Sequence, residues 1–298
     1  MIDRALAVLR DGGLVAIPTE TVYGLAADAA NEAAVRRIFE VKGRPADHPL
    51  IVHVAEASSL THWAAHVPDT AAVLAAACWP GPLTLVVPKA AHVLDVVTGG
   101  RGTVGIRVPA HALTLRLLHR FGGGLAAPSA NRFGRVSPTT AQHVRADLNG
   151  DIDLVLDGGP SPVGVESTIV DCTVHPPQIL RPGAITAEQI GVLLGDAVGA
   201  TTGPSRAPGM LASHYSPRAT VLLAQNTAQA ERMAERHDGV VIIGMGADVV
   251  DYARHLYQWL READDAGHHT VVAVLPAASG LGHAVRDRLV KAAAGPAD

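Results

Sequence analysis

The residues that follow the first apolar run of the chain carry many polar groups in a short space. The run Leu14-Val15-Ala16-Ile17 predicts a buried strand, and Pro18 ends it because proline has no N–H to donate to a sheet. The polar side chains that come next are those of Thr19, Glu20, Thr21 and Tyr23. Polar groups crowded at a strand end predict contact with a ligand. From spacing alone, a turn whose threonines bond to the local backbone is an equal alternative.

Two cations follow at the predicted end of a helix. Asn31 is a suitable N-cap, residues 33–41 have helical periodicity, and Gly43 stops the helix. Lys42 and Arg44 therefore lie at its C-terminus, where a solvated pair of cations complements the helix macrodipole. Phosphate binding is the alternative. The chain has no G-x-x-x-x-G-K-[ST] loop. Any phosphate would therefore have to be bound by hydroxyls and by dispersed cations such as these two.

The composition limits the class of protein. The chain has 298 residues, of which 48% are hydrophobic and 17% charged, and this predicts a globular protein with two domains. A formal net charge of −4 argues against a basic face for duplex phosphates, so we expect no tight direct binding to nucleic acid. Two cysteines, Cys78 and Cys172, are too few for a disulfide framework or a four-cysteine zinc site.

The same sequence predicts a protein of the cytoplasm. Residues 1–10 have helical spacing with interspersed charges and lack the apolar core of a signal peptide. No run approaches the roughly 20 apolar residues that are needed to cross a bilayer. The small number of cysteines also suits a reducing compartment.

The order of predicted elements indicates two α/β domains. Over residues 1–198, strands and helices mix without a strict βαβ rhythm, which predicts a mixed twisted sheet around an open cleft. Residues 199–217 are rich in Gly, Pro, Ser and Thr and predict a linker that also serves as a lid. Over residues 218–298, three apolar strands alternate with helical patterns, as in a small Rossmann-like domain. Gly280-Leu281-Gly282 is a fragment of a dinucleotide fingerprint there and a minor alternative site for phosphate.

Several short blocks give the chain a family resemblance. In chain order they are Pro18-Thr19-Glu20-Thr21-Val22-Tyr23-Gly24-Leu25, Lys42-Gly43-Arg44-Pro45 with Pro49-Leu50-Ile51-Val52-His53, Trp79-Pro80-Gly81-Pro82-Leu83-Thr84, Thr103-Val104-Gly105-Ile106-Arg107-Val108-Pro109, Ala127-Pro128-Ser129-Ala130-Asn131, Glu166-Ser167-Thr168-Ile169-Val170-Asp171 and Leu180-Arg181-Pro182-Gly183. Together they resemble the YrdC-like family of L-threonylcarbamoyladenylate synthases. The later Pro208-Gly209-Met210 and His214-Tyr215-Ser216-Pro217 resemble the linker of its two-domain form.

The resemblance implies a reaction. In this family, L-threonine and bicarbonate form a carbamate whose oxygen attacks the α-phosphorus of ATP. The products are threonylcarbamoyl-AMP and pyrophosphate. The resemblance also implies Mg²⁺ as the companion of ATP, no protein metal ligands, and transfer of the product to tRNA by a separate threonylcarbamoyl transferase complex.

The resemblance further implies a role for particular residues. The catalytic set would be Lys42, Arg44, Ser129 and Asn131. The L-threonine site would be formed by Thr21, His53, Arg107, Ala127 and Ser167. The nucleotide site would be formed by Arg44, His48, Thr103, Ser129, Ser137, Arg181 and Tyr215. Catalysis would consist of positioning and charge neutralisation without a side-chain nucleophile, and residues 207–217 would cover the cleft.

The chain departs from the family pattern at two places. His48 stands where the family commonly has asparagine, and an imidazole can still donate one hydrogen bond there. Leu211-Ala212-Ser213 lacks the basic residue that often precedes His-Tyr in the linker, which weakens the charge that this segment offers to phosphate.

Other classes of function have weaker support. The pairs His62/His66 and His268/His269 have no further ligands at zinc spacing, and Ser129 is not in a G-x-S-x-G motif. A module that binds RNA or nucleotide without turnover is disfavoured by the aromatic content of 3% and the negative charge. An enzyme that uses another carbamoyl donor in the same pocket is the remaining alternative.

Overall fold

The structure, a computed structural model, describes residues 1–199, 207–210 and 214–295. The predicted linker at residues 199–217 is therefore only partly described, and its boundaries stay a prediction. The departure at Leu211-Ala212-Ser213 lies outside the described residues.

Within the described residues, a nine-stranded mixed sheet forms the larger unit. Its strands are β1 (Val15–Ile17), β2 (Gly24–Asp28), β3 (Ile51–His53), β4 (Leu83–Pro88), β5 (Thr103–Arg107), β6 (Leu125–Ala126), β7 (Leu154–Val155), β8 (Thr168–Asp171) and β9 (Gln178–Arg181). Their spatial order is β7-β1-β2-β6-β3-β5-β4-β8-β9. The pairs β1–β7, β3–β5 and β4–β8 are parallel and the others are antiparallel. The predicted mixed α/β sheet is confirmed.

Helices surround this sheet, and the second of them has the two ends that the sequence predicts. They are α1 (Ile2–Arg10), α2 (Glu32–Lys42), α3 (Leu60–Trp63) after a 3-10 turn (Ala57–Ser59), α4 (Asp69–Cys78), α5 (Asp95–Thr98), α6 (Ala112–Phe121), α7 (Ala141–Leu148) and α8 (Ala187–Leu194). At the start of α2 the side chain of Asn31 accepts the N–H of Ala34, and at its end Gly43 adopts a left-handed φ of 62°. These two ends place Lys42 in the last turn of α2 and Arg44 directly after its C-cap.

The apolar pattern predicts neither β2 nor α7. The β2 sequence is rich in Gly and Ala, which have low strand propensity, but it pairs with β1 on one side and β6 on the other. Gly24 permits this packing because an added Cβ would lie 3.3 Å from the Cβ of Ala127. Helix α7 is short, and Thr140 caps it by accepting the N–H of His143. Tertiary pairing, rather than local preference, therefore forms β2, whereas a local cap begins α7.

A three-stranded parallel sheet forms the smaller unit. Its strands β10 (Thr220–Ala224), β11 (Val240–Ile243) and β12 (Thr270–Val274) have the order β10-β12-β11, and its helices are α9 (Thr227–Ala234), α10 (Val249–Asp265) and α11 (Gly282–Ala293). This confirms the predicted Rossmann-like unit. Phosphate binding at residues 280–282 stays a prediction.

The two units share one apolar cluster. Val22, Val136 and Val165 of the larger unit pack with the core of the smaller one, which includes residues of α10 and α11. Gly164 allows this approach, since its φ is +82° and an added Cβ would lie 2.3 Å from the carbonyl oxygen of Ala253 in α10. The units are thus packed face to face beside the loop that follows β1.

None of the helices described here has the length and apolar character that would let it cross a membrane.

Candidate functional site

A cleft opens where several strand ends of the larger sheet meet. About 570 Å³ of empty space lies between its walls, a volume that includes open solvent at the mouth. Nine of the predicted site residues line it, namely Thr21, Arg44, His53, Arg107, Ala127, Ser129, Ser167, Arg181 and Tyr215. The loop between β1 and β2, the ends of β3, β5, β6 and β9, and residues 208–209 and 214–215 therefore converge on one space.

Lys42 and Asn131 lie behind the cleft wall. The Lys42 ammonium group donates hydrogen bonds to the carbonyl oxygens of Ser129 and Asn131, at 2.6 and 2.5 Å. Burial, followed by the nearby Arg44, lowers the pKa of Lys42 well below its usual value. The Asn131 amide donates to the carbonyl oxygens of Arg132 and Arg135. Both side chains thus fix the loop that presents Ser129 to the cleft.

Three other predicted nucleotide contacts lie outside the cleft lining. His48 lies in a smaller adjoining cleft that Arg44 also lines, with its ring 5.4 Å from that of Phe133. Thr103 begins β5, where it pairs with Pro88 at a distance from this lining. Ser137 is buried, and its hydroxyl donates to Oε1 of Glu166 at 2.6 Å. Their proposed contacts with the nucleotide stay predictions.

One end of the cleft carries a neutralised arginine and a neutral histidine. His53 and Arg107 are neighbours because β3 and β5 are parallel and in register at these residues. Arg107 Nη2 lies 2.7 Å from Oε1 of Glu20, whose Oε2 accepts the N–H of Ala110. Burial, followed by the Arg107 charge, lowers the pKa of His53 to about 3, so its imidazole is neutral at pH 7. We call His53, Arg107 and Glu20 the neutral end.

The other end of the cleft carries arginines without carboxylate partners in the described part of the chain. Arg181 donates from Nε to the carbonyl oxygen of Ser167 and from Nη2 to its hydroxyl, both at 3.1 Å. Arg44 donates to the carbonyl oxygen of Pro49 and lies 5.8 Å from the Phe133 ring centre. Burial lowers the pKa of Arg44 to about 10, which leaves it charged at pH 7. We call Arg44 and Arg181 the cationic end.

Tyr215 covers the cationic end in a strained conformation. Its φ is +63°, a left-handed value that a bulky side chain rarely adopts, and its phenol is buried. That hydroxyl has no hydrogen-bond partner among the described residues. Burial, followed by the Glu166 charge, raises the pKa of Tyr215 to about 12. Gly209 lies beneath it, where an added Cβ would be 2.7 Å from the hydroxyl.

Glu166 is a further residue of the cleft wall to which the sequence assigned no role. Besides Ser137, it accepts hydrogen bonds at Oε2 from the hydroxyl of Tyr257 and from Nε of Arg288, both at 2.8 Å. Burial alone would raise its pKa, but the charges of Arg288 and Arg181 outweigh burial and lower it to about 2. The block Glu166-Ser167-Thr168 pointed to this place, whereas nothing in the sequence connected it with Arg288.

His214 is a second cleft residue with no predicted role. It is buried beside Tyr215, with ring centres 4.1 Å apart. Burial is the main cause that lowers its pKa to about 3, so the ring is neutral at pH 7.

The histidine pairs do not form larger ligand groups. His62 packs against the ring of His92, with centres 4.4 Å apart. Among the residues whose positions are described, no group of three or more His, Cys, Asp or Glu could hold a metal ion.

Comparison with known proteins identifies similar chains over nearly the full length. The Sua5/YciO/YrdC family model, whose description reads "Telomere recombination", matches residues 7–183. A second model, "Threonylcarbamoyl-AMP synthase, C-terminal domain", matches residues 185–294.

Two similar relatives have the same name. The chain is 43% identical to a threonylcarbamoyl-AMP synthase of Pyrococcus abyssi, over 97% of this chain and 92% of that one. It is 40% identical to a threonylcarbamoyl-AMP synthase of Bacillus subtilis, over 99% of this chain and 93% of that one. The crystal structure of P. abyssi Sua5 complexed with L-threonine is similar with a TM-score of 0.93 and 41% identity, covering 98% of this chain and 94% of that chain.

Proposed function

The chain belongs to the Sua5/YciO/YrdC family, and from that premise we propose that it is an L-threonylcarbamoyladenylate synthase. It makes threonylcarbamoyl-AMP and pyrophosphate from L-threonine, bicarbonate and ATP, for the N6-threonylcarbamoyladenosine modification of tRNA. The observation that carries this proposal is a single cleft with a neutral end and a cationic end, in a chain similar throughout to proteins of that name.

The neutral end suits the amino acid. Threonine is a zwitterion, so a site with no net charge but with separate charged and polar groups matches it. Arg107 offers its guanidinium to the carboxylate, and Thr21 and Ser167 offer hydroxyls. The Thr21 hydroxyl is 2.8 Å from that of Thr19, and the Ser167 hydroxyl is 2.8 Å from that of Thr84, so both are held in place.

The cationic end suits the triphosphate. In the reaction, the carbamate oxygen forms a bond to the α-phosphorus while the bond from that phosphorus to the bridging oxygen breaks, and pyrophosphate leaves with the bonding electrons. Charge on the transferring phosphoryl group and on pyrophosphate is stabilised by Arg44 and Arg181. Ser129 adds a short neutral donor, and Lys42 holds its loop from behind.

No side-chain nucleophile takes part in the proposed reaction. The carbamate is already a nucleophile, so the chain has to align it with ATP and to exclude water. Both the carbamate and the mixed anhydride decompose in water, and Tyr215 and His214 cover the cleft where that anhydride would form.

Mg²⁺ would enter with ATP as part of the substrate. Glu166 in the cleft wall and Glu20, the partner of Arg107, are each paired with an arginine, so they are poorly suited to coordinate a cation. We accordingly propose that the metal is held by the phosphates. A cytoplasmic location, and transfer of the product to tRNA by a separate threonylcarbamoyl transferase complex, belong to the same proposal.

A pyrophosphate assay tests the proposed function. The full chain is incubated with ATP, Mg²⁺ and bicarbonate, and pyrophosphate release is measured with and without L-threonine. We expect release that depends on both threonine and bicarbonate, and an Arg36→Ala variant, changed on the exposed face of α2, should match it. Equal release without threonine would indicate another carbamoyl acceptor or donor. RNA binding without any release would indicate a binding module instead.

A further inference from the structure

A buried ionic cluster connects the smaller unit to the cleft wall. Arg288 of α11 is fully buried, and its Nε lies 2.8 Å from Oε2 of Glu166. Its Nη1 lies 2.6 Å from Asp287, which also binds Lys291 at 2.7 Å. Lys291 in turn donates to the carbonyl oxygen of Gly209 at 2.6 Å. The charges of the two carboxylates and the two cations in this cluster thus sum to zero. Through Lys291, α11 also contacts Gly209, which lines the cleft.

We propose that Arg288 is a positioning residue for the synthase: it neutralises Glu166 so that the cationic end of the cleft accepts the triphosphate of ATP. This inference rests on the proposed function. Glu166 lines the same cleft as Arg44 and Arg181, so an uncompensated carboxylate there would repel the phosphates that those arginines attract. The smaller unit thereby sets the charge of a site that the larger unit builds.

The geometry also explains why the counter-charge has to come from α11. Within the larger unit, Arg181 acts on Glu166 through its charge without a direct bond, because its hydrogen bonds go to Ser167 and Pro208, and Ser137 offers Glu166 only one neutral donor. A buried carboxylate without a cation is costly, and its burial would favour the protonated form. Protonation would remove the acceptor that holds the hydroxyls of Ser137 and Tyr257.

Arg288 further supports the cover of the cleft. Its guanidinium lies 5.4 Å from the ring centre of Tyr215, and that ring stacks on Tyr257 at 5.6 Å. One cation thus faces both the wall carboxylate and the ring above the nucleotide end. Loss of the Arg288 charge should therefore weaken the binding of ATP more than the binding of threonine.

The pH dependence of ATP binding distinguishes this role from a purely structural one. The titratable or charged groups that face Glu166 are Arg288 and its partner Asp287 from α11, Tyr257 from α10, Arg181 from β9, and His214 and Tyr215 from the segment above the cleft. Without Arg288, only Arg181 would remain as a nearby positive charge that lowers the pKa of Glu166, so burial would raise this pKa. Lowering the pH would then neutralise Glu166 and relieve its repulsion of phosphate.

The test measures the Kd of ATP by calorimetry, the KM of ATP and the melting temperature of full-length variants between pH 6 and 9. For Arg288→Met we expect an ATP Kd about tenfold higher at pH 8, the size expected for one uncompensated charge, and a smaller increase at pH 6. The double variant Glu166→Gln/Arg288→Met should recover most of the affinity for ATP. The ATP Kd of Arg288→Lys should remain near that of the wild type. Arg286→Met, which changes another arginine of α11, is the matched control.

Each outcome decides the proposal. An unchanged ATP Kd in Arg288→Met would overturn it. So would a loss that is equal in the single and double variants at every pH and that follows the melting temperature alone. If Arg288→Met does not fold, the ATP Kd values of the double variant and of Arg288→Lys decide the proposal, since both variants keep the charges balanced. A wild-type chain that binds ATP but releases no pyrophosphate with threonine would remove the proposed function, while the pH-dependent ATP Kd would still test Arg288.

Discussion

The two ends of the cleft use arginine in different ways. At the neutral end, Arg107 is paired with a buried carboxylate, and the neighbouring His53 is uncharged. At the cationic end, Arg44 and Arg181 donate to carbonyl and hydroxyl oxygens and keep their full charge. The difference lies in the partner rather than in the residue type.

This difference fits the substrates that we propose. A zwitterionic amino acid needs local charges that sum to zero, whereas a triphosphate needs a net positive charge. Neutral oxygen acceptors orient an arginine without cancelling its charge, so they are the suitable partners beside phosphate. The predictions below separate the two ends, and they run from the largest expected effect to the smallest.

Removal of the Arg107 side chain should have the largest effect of all, which is a loss of free energy of unfolding. Arg107→Met would leave Glu20 buried without its cation, and breaking a buried pair on one side costs about 3–5 kcal/mol. Urea unfolding measures this loss. The double variant Glu20→Gln/Arg107→Met should recover much of the stability but not the threonine-dependent release of pyrophosphate. If Arg107→Met unfolds like the wild type, the two residues are not a coupled pair.

Removal of the Arg181 side chain should weaken the binding of ATP. Arg181→Met removes a charged donor from the cationic end, and hydrogen bonds to charged groups contribute about 1.5–3 kcal/mol, so we expect a KM for ATP about 10- to 100-fold higher. The KM for threonine should change much less, and Arg181→Lys should retain part of the affinity. Equal increases in both KM values would contradict the division of the cleft into two ends.

The neutral histidines predict acid sensitivity. His53 and His214 have pKa values near 3 in the folded chain, and burial is the main cause. The unfolded chain therefore binds more protons below about pH 6.5, so stability falls as the pH falls, by up to about 1.4 kcal/mol per pH unit and histidine. Melting temperatures at pH 8 and pH 5 measure this loss.

A variant assigns part of that acid sensitivity to the neutral end. His53→Gln should reduce the loss between pH 8 and pH 5, because the side chain no longer takes up a proton on unfolding. The comparison at pH 8 is the control, since the imidazole is neutral there in both states. The same loss in both proteins would mean that His53 is charged in the folded chain.

An exposed pair of the same residue types should have the smallest effect. Glu32 and Arg36 form an ion pair on α2 with side chains that are 55% and 58% exposed. Solvent screens such a pair, so Glu32→Ala should change the free energy of unfolding by less than about 0.5 kcal/mol. Set beside Glu20 and Arg107, this measurement isolates the effect of burial. A loss comparable to that of Arg107→Met would remove burial as the explanation.

The sequence predicted what local chemistry determines. The N-cap at Asn31 and the left-handed Gly43 follow from residue preferences, and they locate Lys42 and Arg44. The apolar runs predicted most strands, and the family blocks indicated the residues that line the cleft. Strand β2 was not predictable, since its Gly and Ala residues form a strand only because β1 and β6 lie beside it.

Pairings between distant residues could not be predicted. His53 and Arg107 are neighbours only because two strands that are not consecutive pair in parallel. Glu166 and Arg288 are separated by 122 residues and belong to different units of the fold, so no spacing rule connects them. For the same reason the sequence could not show that Lys42 points at the loop of Ser129 and Asn131, because this depends on where that loop packs.

The apolar cluster that the two units share has a consequence for any shortened form of the chain. Val22, Val136 and Val165 are covered by residues of the smaller unit, and Val22 lies in the same loop as Thr19 and Thr21. A fragment that ends before β10 would expose these valines to solvent and would lose the packing that supports the loop between β1 and β2. The smaller unit thus supports, from outside the larger sheet, the loop from which Thr19 and Thr21 reach the cleft.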